Sequence, residues 1–138
     1  MHLPKDIRKL IYAKLDKYDI KLILKAHGSK EPILDGISWH CAKNGHLELL
    51  KWARDNNCPY DVWVCAGAAM NGHLEVLKYL HENGYEWDAW ACTRAAKNGH
   101  LEILKYLHAN GCLWDKSECV LLATQNDHQH IIDWLNAN

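Results

Sequence analysis

No phenylalanine occurs among the 138 residues, and several chemical signatures are missing with it. No apolar run approaches the roughly 18 residues of a membrane-spanning helix, so a helical membrane span is excluded. Neither CxxC nor HExxH is present, which removes the common zinc-binding spacings. A Gly-rich nucleophile elbow and a phosphate loop are absent as well, leaving no recognisable frame for nucleophilic or phosphoryl-transfer chemistry. A large charge excess is lacking too: the formal net charge is −1, which argues against a general phosphate-binding surface and hence against nucleic acid as a partner.

What is present is ordinary in bulk and unusual in detail. A chain that is 49% hydrophobic and 24% charged suits one soluble domain or one repeat array. Seven Trp, six Cys and ten His stand out. Charge is unevenly placed: residues 1–34 carry eight Lys/Arg against four Asp/Glu, and residues 35–138 carry eight against thirteen. Such a difference suggests two segments with different outer partners. Cys65, Cys92 and Cys119 fall at intervals of 27 among Ala and Leu, as a column of reduced core thiols would, pointing to an intracellular, cytoplasmic protein.

The interval recurs in a longer string. "NGHLE" begins at Asn44, Asn71 and Asn98, and defines the units "DGISWHCAKNGHLELLKWARDNNCPY", "DVWVCAGAAMNGHLEVLKYLHENGYEW" and "DAWACTRAAKNGHLEILKYLHANGCLW". A fourth, "DKSECVLLATQNDHQHIIDWLNAN", fits with one residue inserted before Asn126. Self-similarity at a fixed period of 20 to 50 residues is the mark of a stacked array. Each unit predicts two short helices. Asp61, Asp88 and Asp115 stand at N-cap positions ahead of small-residue stretches. Asn-Gly at 44–45, 71–72 and 98–99 ends the first helix, and Asn83-Gly84 and Asn110-Gly111 end the second. Leu74, Leu77 and Leu80 line one face of that second helix, with Glu75 and Lys78 turned outward. One such hairpin cannot bury its apolar stripe alone, and stacked neighbours can.

The strings "AAMNGHLEVLKYLHENG" and "AAKNGHLEILKYLHANG" resemble the ankyrin repeat, over about three-quarters of the chain. The resemblance implies an all-α solenoid of about four helix-turn-helix repeats, at residues 35–60, 61–87, 88–114 and 115–138. The ankyrin unit is about 33 residues long, and the shortage here lies between the closing Gly and the next first helix, so the β-hairpin fingers of that family are expected to be missing. Short Trp- and Cys-rich units of this type are similar to those abundant in giant DNA viruses and some protists; a viral origin would place the protein in the host cytoplasm.

Residues 1–34 predict an N-terminal helical hairpin with two readings. As a degenerate capping repeat, it would present Lys5, Lys9, Lys14, Lys17, Lys21 and Lys25 as a polar outer face. The stretch "LPKDIRKLIYAKLDKYDIKLILKA" also resembles the first two helices of an F-box, which implies Leu3, Pro4, Ile7, Ile11 and Leu15 as residues docking a Skp-type ubiquitin-ligase adaptor.

His46, His73 and His100 occupy one column, but stacked helices lie about 8–10 Å apart and zinc ligands must sit within about 2.0–2.3 Å of the metal. The column therefore bridges turns to neighbours and binds no metal. His128 and His130 could chelate only weakly. Tyr60, Trp87 and Trp114 form a column expected to be wedged between repeats as core. Trp63 and Trp90 form another, either filling the gap left by the missing finger or standing at the edge of the concave surface as binding anchors. The resemblance places partner-binding residues on the first helices, just before Asn-Gly at Lys43, Met70 and Lys97, and just before the Trp column at Val62 and Ala89. The expected function is a non-enzymatic, cofactor-free, monomeric protein-binding module, in its sharper form a substrate adaptor for a ubiquitin ligase. The alternative is an assembly protein whose arrays self-associate.

Overall fold

The computed structural model describes residues 36–138 together with Lys5, Asp6, Lys9 and Ala13, which are helical. The sequence readings for Leu3, Pro4, Ile7, Ile11 and Leu15 lie outside the described residues. Eight helices follow one another from residue 37 to 137: α1 (Ile37–Asn44), α2 (Leu47–Asp55), α3 (Val62–Met70), α4 (Leu74–Glu82), α5 (Ala89–Lys97), α6 (Leu101–Ala109), α7 (Lys116–Gln125) and α8 (Gln129–Ala137). No β-strand occurs among the described residues, and six residues, 83–88, carry the chain from the end of α4 to the start of α5. The array is thus all-α and ankyrin-like, without fingers in the described part.

Local chemistry sets each boundary. The Asp61 and Asp88 side chains accept from the Trp63 and Trp90 amides at 3.0 and 2.9 Å, and Asp115 accepts from Glu118 at 3.0 Å, each satisfying an amide that the first turn leaves orphaned. An asparagine closes every described helix. Its side-chain amide donates to the carbonyl four residues back, as at Asn71 to Gly67 (2.9 Å), Asn83 to Tyr79 (2.7 Å) and Asn98 to Arg94 (2.8 Å). The chain then turns through a left-handed residue, and the amide after it reaches back to the last turn: His73 to Ala68 (3.0 Å) and Tyr85 to Leu80 (3.0 Å). Asn57 and Asp127 stand in that left-handed place where the other helices use Gly. The inserted residue of the fourth unit is absorbed into α7, which has 10 residues where α3 and α5 have 9.

Packing follows residue size. First helices stack directly, α1 on α3, α3 on α5 and α5 on α7, while each second helix packs back on its own first helix. Fully buried Cys65, Ala68 and Ala69 on α3 and Ala91, Cys92, Ala95 and Ala96 on α5 permit the close approach. Leu77, Leu80, Leu104 and Leu107 seal the second helices against them. All six cysteines are buried free thiols, as their column suggested, and Cys112 Sγ donates to the Asp88 carbonyl at 3.3 Å, tying the end of one repeat to its own N-cap.

The repeated motif joins neighbouring units. His73 Nε2 donates to the Lys43 carbonyl (2.9 Å), and His100 Nε2 donates to the Met70 carbonyl (3.1 Å), each reaching one repeat back. The rings lie so close that a Cβ added to Gly72 would sit 2.8 Å from His100 Cε1, and the same holds for Gly45 beneath His73. In the fourth unit the two tasks are divided: His128 lies over Gly99, and His130 Nε2 donates to the Gly99 carbonyl at 2.9 Å. The histidine column is thus a set of bridges between turns.

Candidate protein-binding face

The first helices carry the seven residues singled out by sequence, and the structure groups them at two ends of each helix. Val62 and Ala89 open α3 and α5, followed at once by Trp63 and Trp90; Met70 and Lys97 close those helices, and Lys43 lies in the last turn of α1. Trp63 and Trp90 are each 47% exposed, with ring centroids 6.0 Å apart, so they form a paired surface platform and do not fill the gap left by the finger. The side chains of Lys43, Met70 and Lys97 are half-buried, and the Lys43 and Met70 carbonyls are held by the bridging histidines. Lys97 stands seven positions after Trp90, about 10 Å along a helix, so platform and basic end are two bands of one face.

Two residues that sequence reading missed, Arg94 and Trp39, join these bands. Arg94 Cζ lies 5.2 Å from the centre of the Trp90 ring, and Lys43 Nζ lies 4.8 Å from that of Trp39, both at cation–π distance. The signal was available: in each pair a cation stands four residues after a tryptophan on a helix, where side chains share a face. Trp39 packs across to the next repeat, its Nε1 3.2 Å from where a Cβ on Gly67 would stand.

Charge divides between the two rows. On the second helices Lys51, Lys78 and Lys105 are each paired with Glu48, Glu75 and Glu102 at 2.8, 3.3 and 3.0 Å. On the first helices Lys43, Arg94, Lys97 and Lys116 have no carboxylate within 4.0 Å among the described residues. Their one acidic neighbour on those helices is Glu118, whose own amide is engaged by Asp115.

The third aromatic column departs from expectation at Tyr60 alone. Tyr60 is 56% exposed and therefore not core; it meets Tyr85 at 4.0 Å between centroids. Trp87 and Trp114 are half-buried and packed against the core, each between a histidine of its own second helix and an aromatic ring of the next unit. His81 stacks on Trp87 at 4.2 Å beside Tyr106, and His108 stacks on Trp114 at 4.4 Å beside Trp134. On that loop edge lies a surface groove of about 640 Å³, lined by Arg54, Pro59, Tyr60 and Tyr85 among others, and none of the seven sequence-selected residues reaches it.

Among the described residues, no group of three or more His, Cys, Asp and Glu could hold a metal ion, and no helix is long and apolar enough to cross a membrane. The fold and face define a class, a stacked helical array with an aromatic and basic surface. Residues 68–108 match the family model "Ankyrin repeats (many copies)", so the middle of the chain is similar to that family. No curated protein matches the sequence. Ankyrin repeats generally mediate protein–protein interaction and are typically non-enzymatic.

Proposed function

We propose that the protein is a non-enzymatic interaction module that holds a protein partner along the row of first helices. The observation that carries this reading is the exposed Trp63–Trp90 platform on the same row of helices as four cations that have no carboxylate within 4.0 Å among the described residues, because large aromatics and Arg supply most of the energy at protein interfaces. First helices stack directly on one another through small residues while each second helix packs on its own first helix, so the first-helix row forms one continuous face. A face built on stacked helices is preformed, so little receptor entropy is lost on binding. Affinity capture with the wild type and with the Trp63→Ala/Trp90→Ala double variant tests the reading. Partners are expected to be lost from the double variant and retained by Tyr60→Ala, which alters the loop edge; an identical partner set in all three would refute it.

The substrate-adaptor form of the reading rests on the F-box resemblance of Leu3, Pro4, Ile7, Ile11 and Leu15. In that form the repeats hold a target while residues 3–26 recruit a Skp-type protein. Co-purification with and without residues 1–28 tests it, and an unchanged partner set sinks it.

A further inference from the structure

Of the three surface features outside the packed core, the loop-edge groove, the outer histidine–tryptophan stacks and the basic first-helix face, only the last specifies the chemistry of what it meets. We infer that the partner presents an extended acidic segment with an apolar side chain, its carboxylates lying on Lys43, Arg94 and Lys97 and its apolar residue on Trp63 and Trp90. This deepens the interaction-module reading and rests on it.

Three observations converge. The lysines of the second helices are all paired with glutamates, whereas the cations of the first helices have no carboxylate within 4.0 Å among the described residues. The helix dipole explains why Lys43, Arg94 and Lys97 sit in last turns, but it leaves their outer donors unused. Arg94 and Lys43 rest on indole faces, which fixes their positions and reduces the side-chain entropy lost when an anion binds. The occupant follows from charge. The chain's own residues 1–34 are net basic, with eight Lys/Arg against four Asp/Glu, and would be repelled. Spacing sets its form: Lys43 and Lys97 are two repeats apart, about 20 Å at 8–10 Å per stacked helix, which an extended chain at about 3.3 Å per residue spans in about six residues.

The test uses the full chain and two fluorescein-labelled nine-residue peptides, one with glutamates six residues apart around a central leucine, the other with lysines in their place. Fluorescence anisotropy at 50 and 300 mM NaCl reads the affinity. The acidic peptide is expected to bind at least tenfold tighter than the basic one at low salt and to lose most of that margin at high salt. Arg94→Glu/Lys97→Glu should abolish or reverse the preference, Arg94→Gln should give part of the loss, and Lys105→Glu on the second row should leave it intact. Equal binding of both peptides that disappears in Trp63→Ala/Trp90→Ala would overturn the acidic-partner inference while leaving the binding face standing. Binding unaffected by either set of variants would overturn both. A dimer by light scattering that dissociates in the charge-reversed variant would assign the face to a second copy, with its acidic loops, and overturn the inference.

Discussion

Replacing Gly72 by alanine isolates what the histidine bridge contributes, because the same repeat contains its own control. Gly72 and Gly84 have nearly the same backbone, φ +81° and +80°, so an alanine at either position meets the same left-handed strain. That strain costs about 1–2 kcal/mol, offset by about 0.4–1 kcal/mol from the stiffer unfolded chain. Gly84 has nothing within 4 Å of an added Cβ, so Gly84→Ala should lose only this remainder, about 1 kcal/mol. At Gly72 the new Cβ would stand 2.8 Å from His100 Cε1 and 3.0 Å from Nδ1. The ring must move, giving up its bond to the Met70 carbonyl, about 0.5–1.5 kcal/mol, and leaving its rotamer well, about 0.5–1.5 kcal/mol. Gly72→Ala should therefore lose about 2–4 kcal/mol in all. Urea unfolding followed by circular dichroism measures both variants. Combined with His100→Ala, the Gly72 change should fall back to about 1 kcal/mol, a coupling of about 1–3 kcal/mol. Equal losses at Gly72 and Gly84, or no coupling to His100, would refute the bridge.

Three further outcomes follow from the same geometry. Asp88→Ala removes the acceptor of the Trp90 amide and should lower stability by about 1 kcal/mol in thermal unfolding. The triple variant Glu48→Gln/Glu75→Gln/Glu102→Gln breaks all three i,i+3 pairs of the second helices, yet should cost less than about 1 kcal/mol in total, since such exposed pairs are worth little. Burial pushes the Cys65 thiol up to about 12 and the Cys119 thiol up to about 11, above the ordinary 9.0, so the unfolded chain releases these protons first. Stability from these two sites is full below pH 9 and is lost as pH rises from there toward 12. Cys65→Ala should flatten that alkaline decline in the urea midpoint, and an unchanged slope would count against the mechanism.

The scaffold was legible because its residues repeat in phase: the Asp caps, the Asn-Gly stops and the leucine stripe each have one physical use, and three copies of each reinforce the reading. The histidine bridge was legible for a negative reason, since helix spacing left a metal column no geometry. Side-chain direction was less accessible. Tyr60 shares a column with Trp87 and Trp114, but Arg54 replaces the histidine on which those tryptophans stack, so Tyr60 turns out to Tyr85. Trp63 and Trp90 allowed either a core or a surface place, because an N-terminal helix position does not say what lies beyond the cap; the short connection leaves them facing out in a pair. That the first-helix cations have no acidic partner among the described residues is invisible to charge counting, because it depends on which row each carboxylate joins.

The bridges all point the same way, each histidine reaching back to the unit before it, and this gives the array a mechanical character. Under tension applied at its ends the interfaces bear load in series, and no strand ladder among the described residues shares the force across units. Each interface that yields frees one 27-residue unit, about 90–97 Å of contour length at 3.3–3.6 Å per residue. Such a chain lengthens in discrete steps of one size, and a partner seated across two repeats would hold the link it spans closed.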